Sequence, residues 1–353
     1  MKKLLVLMFS LALIFIGCGG GGGDGDSSSG GETEETTYNS GGSVGDLLTY
    51  TLNMNTLAYS YEIIESEFGL TGQTGSGTLT LDNNGFTYTP SGDPNARVII
   101  LPNALVVGGA EVTVSGNTTT MLFAGVPQLT VNYTPSEIEG VYNFITYECN
   151  NALVNGVCDS GYYSYIGTFK IDANGTWEAC GGSDYPCPQP DSGSWTDLGN
   201  GLLEAKDSQG NKVATLMLLP SNAGGKVIIG DLKDRPFEDA GPGLLVGVKR
   251  VDISNEDIGG TYYAFDSYGI VSHITVNNAA NQYDDYGPCP NGGLSRNDPW
   301  DGWLTADNCT PTDTSDDGVV LILPGDGVFI ATDRYPSSAG GSGSDFIAVG
   351  AKQ

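Results

Sequence analysis

A group of aromatic and acidic residues in the C-terminal third of the chain is the combination best suited to ligand binding. Its members are Tyr283, Asp284, Asp285, Tyr286, Trp300, Asp301 and Trp303. Aromatic rings stack on the apolar faces of sugars, while carboxylates accept hydrogen bonds from sugar hydroxyls. We therefore predict a glycan-contacting loop here. The alternative is that the two tryptophans pack within the protein.

A second set of carboxylates lies just downstream, in a Thr- and Asp-rich segment. It consists of Asp307, Asp313, Asp316 and Asp317. Closely spaced carboxylates on a turn can ligate Ca²⁺, although their spacing differs from that of an EF-hand loop. The sequence thus gives a candidate Ca²⁺ site, with a solvated acidic turn as the alternative. It indicates no other cofactor.

The cysteines predict disulfide bonds. Six of the seven follow Cys18, and they are Cys149, Cys158, Cys180, Cys187, Cys289 and Cys309. An even number is typical of a disulfide framework in a chain exported to an oxidising compartment, which the N-terminal pattern described below predicts. Pairing neighbours would join 149 to 158, 180 to 187 and 289 to 309, although the first four allow other pairings. Metal binding is disfavoured, because no Cys-x-x-Cys spacing occurs and His273 is the only histidine.

No residue pattern predicts catalysis. Residues 41–45 match the Gly-x-Ser-x-Gly pattern of serine hydrolases, but they end a Gly- and Ser-rich stretch that no helix is expected to follow. His273 lies in an alternating segment typical of a strand, so a Ser-His-Asp triad is not expected. Glu62, Glu65 and Glu67 lie close in sequence. A glycan-acting hydrolase with carboxylates in an inter-domain cleft remains an alternative to our prediction of a non-enzymatic protein.

The N-terminus has the pattern of an exported lipoprotein. Met1-Lys2-Lys3 is positively charged, and Leu4 to Ile16 is almost wholly apolar but too short to span a bilayer as a mature helix. The next residues, Gly17-Cys18, complete a segment that resembles the lipobox of bacterial lipoproteins. The resemblance implies a signal peptide over residues 1–17 and a palmitate-containing diacyl anchor on Cys18.

The residues after Cys18 indicate how the body is tethered. Residues 18–43 are rich in Gly, Ser, Thr and acidic residues, a composition that predicts a disordered linker. In enteric lipoproteins an Asp after the lipidated cysteine retains the protein in the inner membrane. Gly19 occupies that position, so the resemblance implies the outer membrane. Whether the body faces the periplasm or the exterior is left open.

The body contains an internal repeat. Three segments end alike, at Phe123–Gln128, Leu245–Arg250 and Ala348–Gln353, and each follows an apolar run closed by Leu-Pro. Two copies also open alike, with Ile138-Glu-Gly-Val-Tyr142 and Ile258-Gly-Gly-Thr-Tyr262. Each copy also has a candidate hairpin: residues 79–86 match 169–177, both with an Asn-Gly pair that suits a tight turn, and residues 274–280 match more loosely. Such self-similarity indicates repeated units, each of small-domain size. We predict three domains over residues 44–132, 133–253 and 254–353.

Composition sets the fold class. Gly, Thr, Tyr and Val recur throughout, and helical periodicity is absent. We predict an all-β protein of three diverged tandem antiparallel β domains, either small barrels or sandwiches, with a propeller as a further alternative. The motifs resemble lipocalin-like small barrels of bacterial secreted proteins. That resemblance implies, as another alternative, a carrier of an apolar ligand inside one barrel.

The formal net charge of −28 limits the partners. So acidic a surface repels phosphate backbones, which excludes nucleic acid, and it leaves the lipid on Cys18 as the expected contact with the membrane. Carbohydrate or another envelope protein is the remaining class of partner. The sequence therefore predicts a lipid-anchored cell-envelope protein with a binding or structural-interaction role.

Overall fold

The protein folds into three closed antiparallel β-barrels of eight strands each, arranged in chain order. The computed structural model describes residues 35–352, apart from 103, 115–116, 129–133, 152, 155–157, 159–160, 221–225, 235–240, 255, 279–281, 286–291, 298–299, 307–317, 324–326 and 333–346. The predicted all-β class with three tandem antiparallel domains is confirmed, and each domain is a barrel rather than a sandwich or part of a propeller.

Strand order follows the sequence in every barrel, and each barrel closes by pairing its first strand with its last. Barrel 1 contains β1 (Glu35–Gly42), β2 (Asp46–Asn53), β3 (Ala58–Ser66), β4 (Thr74–Leu81), β5 (Thr87–Pro90), β6 (Arg97–Leu101), β7 (Leu105–Val114) and β8 (Asn117–Pro127). Barrel 2 follows the short helix α1 (Pro135–Ile138) and contains β9 (Gly140–Cys149), β10 (Tyr162–Ile171), β11 (Thr176–Gly181), β12 (Asp191–Gly199), β13 (Leu202–Asp207), β14 (Lys212–Pro220), β15 (Lys226–Leu232) and β16 (Gly243–Lys249). Barrel 3 contains β17 (Gly260–Asp266), β18 (Val271–Asn277), β19 (Gln282–Asp285), β20 (Gly292–Arg296), β21 (Leu304–Ala306), β22 (Gly318–Leu323), β23 (Val328–Thr332) and β24 (Ala348–Lys352). Within the described ranges, no helix is long and apolar enough to cross a membrane.

The first strand corrects the predicted linker. Residues 35–42 form β1, which pairs with both β2 and β8, so the prediction of a linker over 18–43 is wrong for its last part. Tyr38 of this strand is fully buried inside barrel 1. A Cβ on Gly41 would lie 3.3 Å from the backbone nitrogen of Asp231 in barrel 2. The small residues that suggested disorder therefore allow two barrels to approach closely.

The opening and closing motifs of the repeat are neighbours in space. Tyr142 of β9 pairs with Lys249 of β16, and Tyr262 of β17 pairs with Lys352 of β24. Each tyrosine hydroxyl donates a 2.7 Å hydrogen bond to the carbonyl of the isoleucine four residues earlier. In each motif the glycine between the isoleucine and the tyrosine, Gly140 or Gly260, has a positive φ, and the methylene chain of the paired lysine packs against it. The motifs recur because together they close the barrel.

The predicted Asn-Gly hairpins occur in the first two barrels. Gly85 and Gly175 each donate a backbone hydrogen bond to the aspartate three residues earlier, at 2.9 and 3.1 Å. These turns join β4 to β5 and β10 to β11. The looser third copy ends in residues 279–280, outside the described residues. Local turn chemistry was thus readable from the sequence.

The apolar runs of the repeat are buried on both faces. In β14, Leu216 and Leu218 point into barrel 2, whereas Met217 and Leu219 point outward. The outward side chains are nonetheless buried, because they join a hydrophobic core to which all three barrels contribute. Strands buried on both faces are expected to be apolar at consecutive positions. The central core therefore explains why these runs do not alternate.

Two of the expected disulfides are formed. Cys149 is bonded to Cys158 and Cys180 to Cys187, each within barrel 2, so the pairing of sequence neighbours is confirmed for these four residues. Cys289 and Cys309 lie outside the described residues. Each bond joins the C-terminal end of a strand, β9 or β11, to the loop that follows it, so both lie at the same end of these antiparallel strands.

Candidate functional site

The structure does not assemble the predicted sugar-binding platform. Trp303 is fully buried in the core shared by the three barrels, and Trp300 packs edge-on against it with ring centroids 6.1 Å apart. The backbone carbonyl of Asp301 accepts a 2.8 Å hydrogen bond from Asn143 of barrel 2. This loop docks barrel 3 onto barrel 2, so the prediction that Trp303 is available to a glycan is wrong. Packing of these tryptophans, the stated alternative, is the outcome.

The other members of that cluster do not restore the site. Tyr283, Asp284 and Asp285 lie on β19, and Tyr286 lies outside the described residues. The proposed Ca²⁺ ligands Asp307, Asp313, Asp316 and Asp317 also lie outside them. Within the part of the chain that the structure describes, no three His, Cys, Asp or Glu side chains are arranged to hold a metal ion.

Two residues that the sequence offered for catalysis, Ser43 and Glu65, make structural contacts. Ser43 lies in the turn between β1 and β2 rather than at the end of a tether, and it is 1% exposed. Its hydroxyl accepts a hydrogen bond from the backbone of Leu122 at 3.0 Å. Glu65 accepts hydrogen bonds from Lys212 at 2.7 and 2.8 Å. Ser43 is therefore held inside the fold, and Glu65 is engaged by a cation.

A cleft of about 480 Å³ lies between barrels 1 and 3. Arg97, Glu111 and Thr120 line it from barrel 1, and Phe265 and Tyr268 line it from barrel 3. At the neighbouring contact between these barrels, Phe86 packs against Tyr263 with ring centroids 4.4 Å apart. The cleft therefore brings two aromatic side chains of barrel 3 together with polar side chains of barrel 1, a combination found in binding concavities.

One wall of the cleft is the tip of the hairpin that joins β17 to β18. There Tyr268 and Ile270 are 56% and 57% exposed, unusually high fractions for large apolar side chains. The carboxylate of Asp266 accepts hydrogen bonds from the backbone N–H groups of both residues, at 3.0 and 2.8 Å. Burial raises the pKa of Asp266, and these hydrogen bonds oppose that rise. Two exposed apolar side chains are thus presented on a fixed turn.

The opposite wall is fixed by Arg97. Its guanidinium lies 3.2 Å from the carboxylate of Asp82 and donates to the carbonyls of Pro94 and Ala96 at 2.6 and 2.7 Å. Glu111 stands exposed beyond it and accepts a 3.5 Å hydrogen bond from Asn95. The cleft therefore presents the exposed carboxylate of Glu111, whereas the guanidinium of Arg97 already has an ion-pair partner and hydrogen-bond acceptors.

Sequence reasoning missed this site. The tip reads Asp-Ser-Tyr-Gly-Ile over residues 266–270, which is a turn signal flanked by apolar residues. The signal in the sequence was Tyr268, an aromatic residue inside a turn between two strands, where solvent exposure is expected. The sequence could not show that barrel 1 lies beside the turn.

No protein-family model and no curated protein sequence matches the chain. Among solved structures, the chain is similar to a double mutant of the vaccine antigen transferrin binding protein B from Haemophilus parasuis Hp5, with 8% sequence identity and a TM-score of 0.27. The similarity covers 87% of this chain and 65% of that protein, so the chain spans less than two thirds of its length.

Proposed function

We propose that this chain is a lipid-anchored cell-envelope protein that binds another protein, without catalysis, through the tip of the β17–β18 hairpin and the cleft beside it. The observation that carries the proposal is the exposure of Tyr268 and Ile270 on a turn fixed by Asp266. Because the backbone of this turn is already fixed, binding through it costs little loop-ordering entropy. They suit the anchoring role that a few residues have in protein interfaces.

Charge indicates the chemistry of the partner. The chain carries a net charge of −28, and Glu111 stands at the rim of the cleft. A partner with an apolar recess and basic residues around it would complement both features. A carrier function is less well supported, because aromatic rings pack against one another within the barrels, such as Tyr142 and Phe169 at 5.1 Å.

Photocrosslinking tests the site directly in the bacterium that makes the protein. A photoreactive phenylalanine analogue at position 268 of the full chain should give one discrete adduct. The captured protein, once purified, should bind the full chain in detergent. Ile270→Ala should then weaken binding about thirtyfold, since loss of an anchor costs about 2 kcal/mol. Affinity is measured by calorimetry.

Leu198 supplies the matched control, because it is 52% exposed on barrel 2, on a different surface. A crosslinker at 198 should give no adduct with the same protein, and Leu198→Ala should leave the affinity unchanged. Equal adducts from both positions, or an affinity that Ile270→Ala does not alter, would show that the hairpin tip is not the binding site.

Lipid attachment through Cys18 is tested separately. Cells fed an alkyne-labelled palmitate should label the full chain, and Cys18→Ser should abolish the label and release the protein from the membrane fraction. The six later cysteines serve as controls, since Cys158→Ser should retain the label. A labelled Cys18→Ser protein would refute the anchor. Protease treatment of intact cells then reports which face of the outer membrane the body occupies.

A further inference from the structure

Barrels 1 and 2 meet across a cluster of charged side chains that the proposed function does not use. The titratable groups that interact there are Asp46, Glu65, Glu67, Tyr162, Lys212, Asp231, Lys233 and Asp234. Five are carboxylic acids and two are lysines, so the cluster would carry excess negative charge if every group were ionised.

Asp231 is the most enclosed member of the cluster. It lies on the outward face of β15 and is 0% exposed, beneath the β1 strand of barrel 1. One of its carboxylate oxygens accepts a 2.5 Å hydrogen bond from Lys233, and the other has no hydrogen-bond partner among the described residues. The hydroxyl of Thr215, which faces Asp231 across β14 and β15, is also buried without a partner. A charged carboxylate with an unsatisfied oxygen is costly to bury, so this environment favours the protonated form of Asp231.

Lys233 carries one positive charge, which cannot neutralise the three carboxylates around it. Lys233 Nζ lies 2.5 Å from Asp231, 2.9 Å from Glu65 and 3.9 Å from Glu67. Glu65 and Glu67 belong to barrel 1, so Lys233 joins the two barrels. Lys212 adds a second contact, 2.7 Å from Glu65. Asp46, which is 1% exposed, has an unpartnered oxygen as well.

The electrostatics follow from this geometry. Burial raises the pKa of Asp231 to about 7, against the opposing attraction of Lys233. Burial likewise raises the pKa of Asp46 to about 6. For Glu65, the hydrogen bonds from Lys212 and Lys233 outweigh burial, and its pKa is lowered. Two buried acids of the interface therefore change charge near neutral pH, whereas the acid that carries the inter-barrel ion pairs stays ionised.

We propose that the interface between barrels 1 and 2 is a proton-linked joint, which tightens when Asp231 and Asp46 take up protons and loosens when they release them. Separated barrels would expose both carboxylates to water, where each ionises at its ordinary value near 3.8. The docked state therefore binds more protons than the separated state. The contribution of these two acids to docking is therefore full below about pH 3.8 and is lost as the pH rises, up to about 6 for Asp46 and about 7 for Asp231.

Hydrogen exchange of the full chain in detergent tests the joint. Peptides that cover β1 and β15 should exchange at least about tenfold faster at pH 8 than at pH 5.5, after correction for intrinsic rates, because ionisation of Asp231 alone accounts for such a factor. Asp231→Asn keeps the shape but cannot ionise, so it should reduce that ratio by about tenfold. Peptides from β12, on the far side of barrel 2, should change little.

Asp191→Asn removes an exposed carboxylate of the same barrel and should leave the ratio as in the wild type. An Asp231→Asn chain with the wild-type ratio would overturn the proposal. Protection of β1 and β15 by millimolar CaCl₂ at pH 8, in the wild type but not in Asp231→Asn, would also overturn it, since a divalent cation rather than a proton would then fill the site.

Discussion

Lys233→Met should lower the free energy of unfolding by about 3–5 kcal/mol at pH 8. Methionine keeps most of the buried aliphatic volume but removes the ammonium, which is 8% exposed and contacts Asp231, Glu65 and Glu67. Asp231 would lose its counter-charge and would have to remain a buried charge or take up a proton at pH 8, and either costs free energy. The loss should shrink at pH 5.5, because protonation of Asp231 removes the charge that Lys233 balances. Guanidinium unfolding of the full chain, followed by tryptophan fluorescence, measures both values.

Lys206→Met is the matched control. Lys206 pairs with Glu204 at 2.6 Å on the same strand, where its side chain is 38% exposed. Solvent-exposed pairs contribute little, so the expected loss is below about 1 kcal/mol and should not depend on pH over this range. Equal losses for the two variants would mean that the inter-barrel network is no more important than a surface ion pair.

Trp303→Ala should lower the free energy of unfolding by about 3–5 kcal/mol. Trp303 is 0% exposed and belongs to the core that all three barrels share, so its removal leaves a cavity where barrels meet rather than inside one of them. Its indole nitrogen is buried and has no hydrogen-bond partner in the part of the chain that the structure describes. Trp303→Phe should therefore be the milder change, because it keeps an aromatic ring and removes an unsatisfied donor.

Trp300→Ala is the comparison for this effect. Trp300 is half-buried and packs on the edge of Trp303, so its truncation should cost less than that of Trp303. The same unfolding experiment at pH 7 compares the three variants. If Trp300→Ala were the more destabilising, or Trp303→Ala were neutral, the shared core would not depend on this side chain.

Lys233→Met and Trp303→Ala both test the buried surfaces that join the barrels. Apolar side chains make the central core, and ionised groups make the joint between barrels 1 and 2. The hairpin tip at Tyr268 lies at the third contact, between barrels 1 and 3. A change in how the barrels dock would alter the shape of that cleft, so the joint and the proposed binding site are testable together.

Local features were readable from the sequence because they depend on neighbouring residues. The Asn-Gly turns, the strand-forming runs and the pairing of Cys149 with Cys158 each involve short chain segments, and each was predicted. The repeat also revealed three units, since the closing motif pairs with the first strand in every barrel, and in barrels 2 and 3 that strand carries the shared opening motif. Residue patterning thus determined the fold class.

The tertiary structure decided which surfaces are buried between barrels, and the wrong predictions for Trp303 and for β1 concern such surfaces. Trp303 beside carboxylates is consistent with either a sugar platform or a core, and only the docking of barrel 3 distinguishes them. The small residues of β1 resembled a linker because part of what buries this strand is barrel 2, which is distant in sequence. Lys233 reaches Glu65 across 168 residues for the same reason. Patterning records which face of a strand is apolar, but the partner of that face is set by the packing of whole barrels.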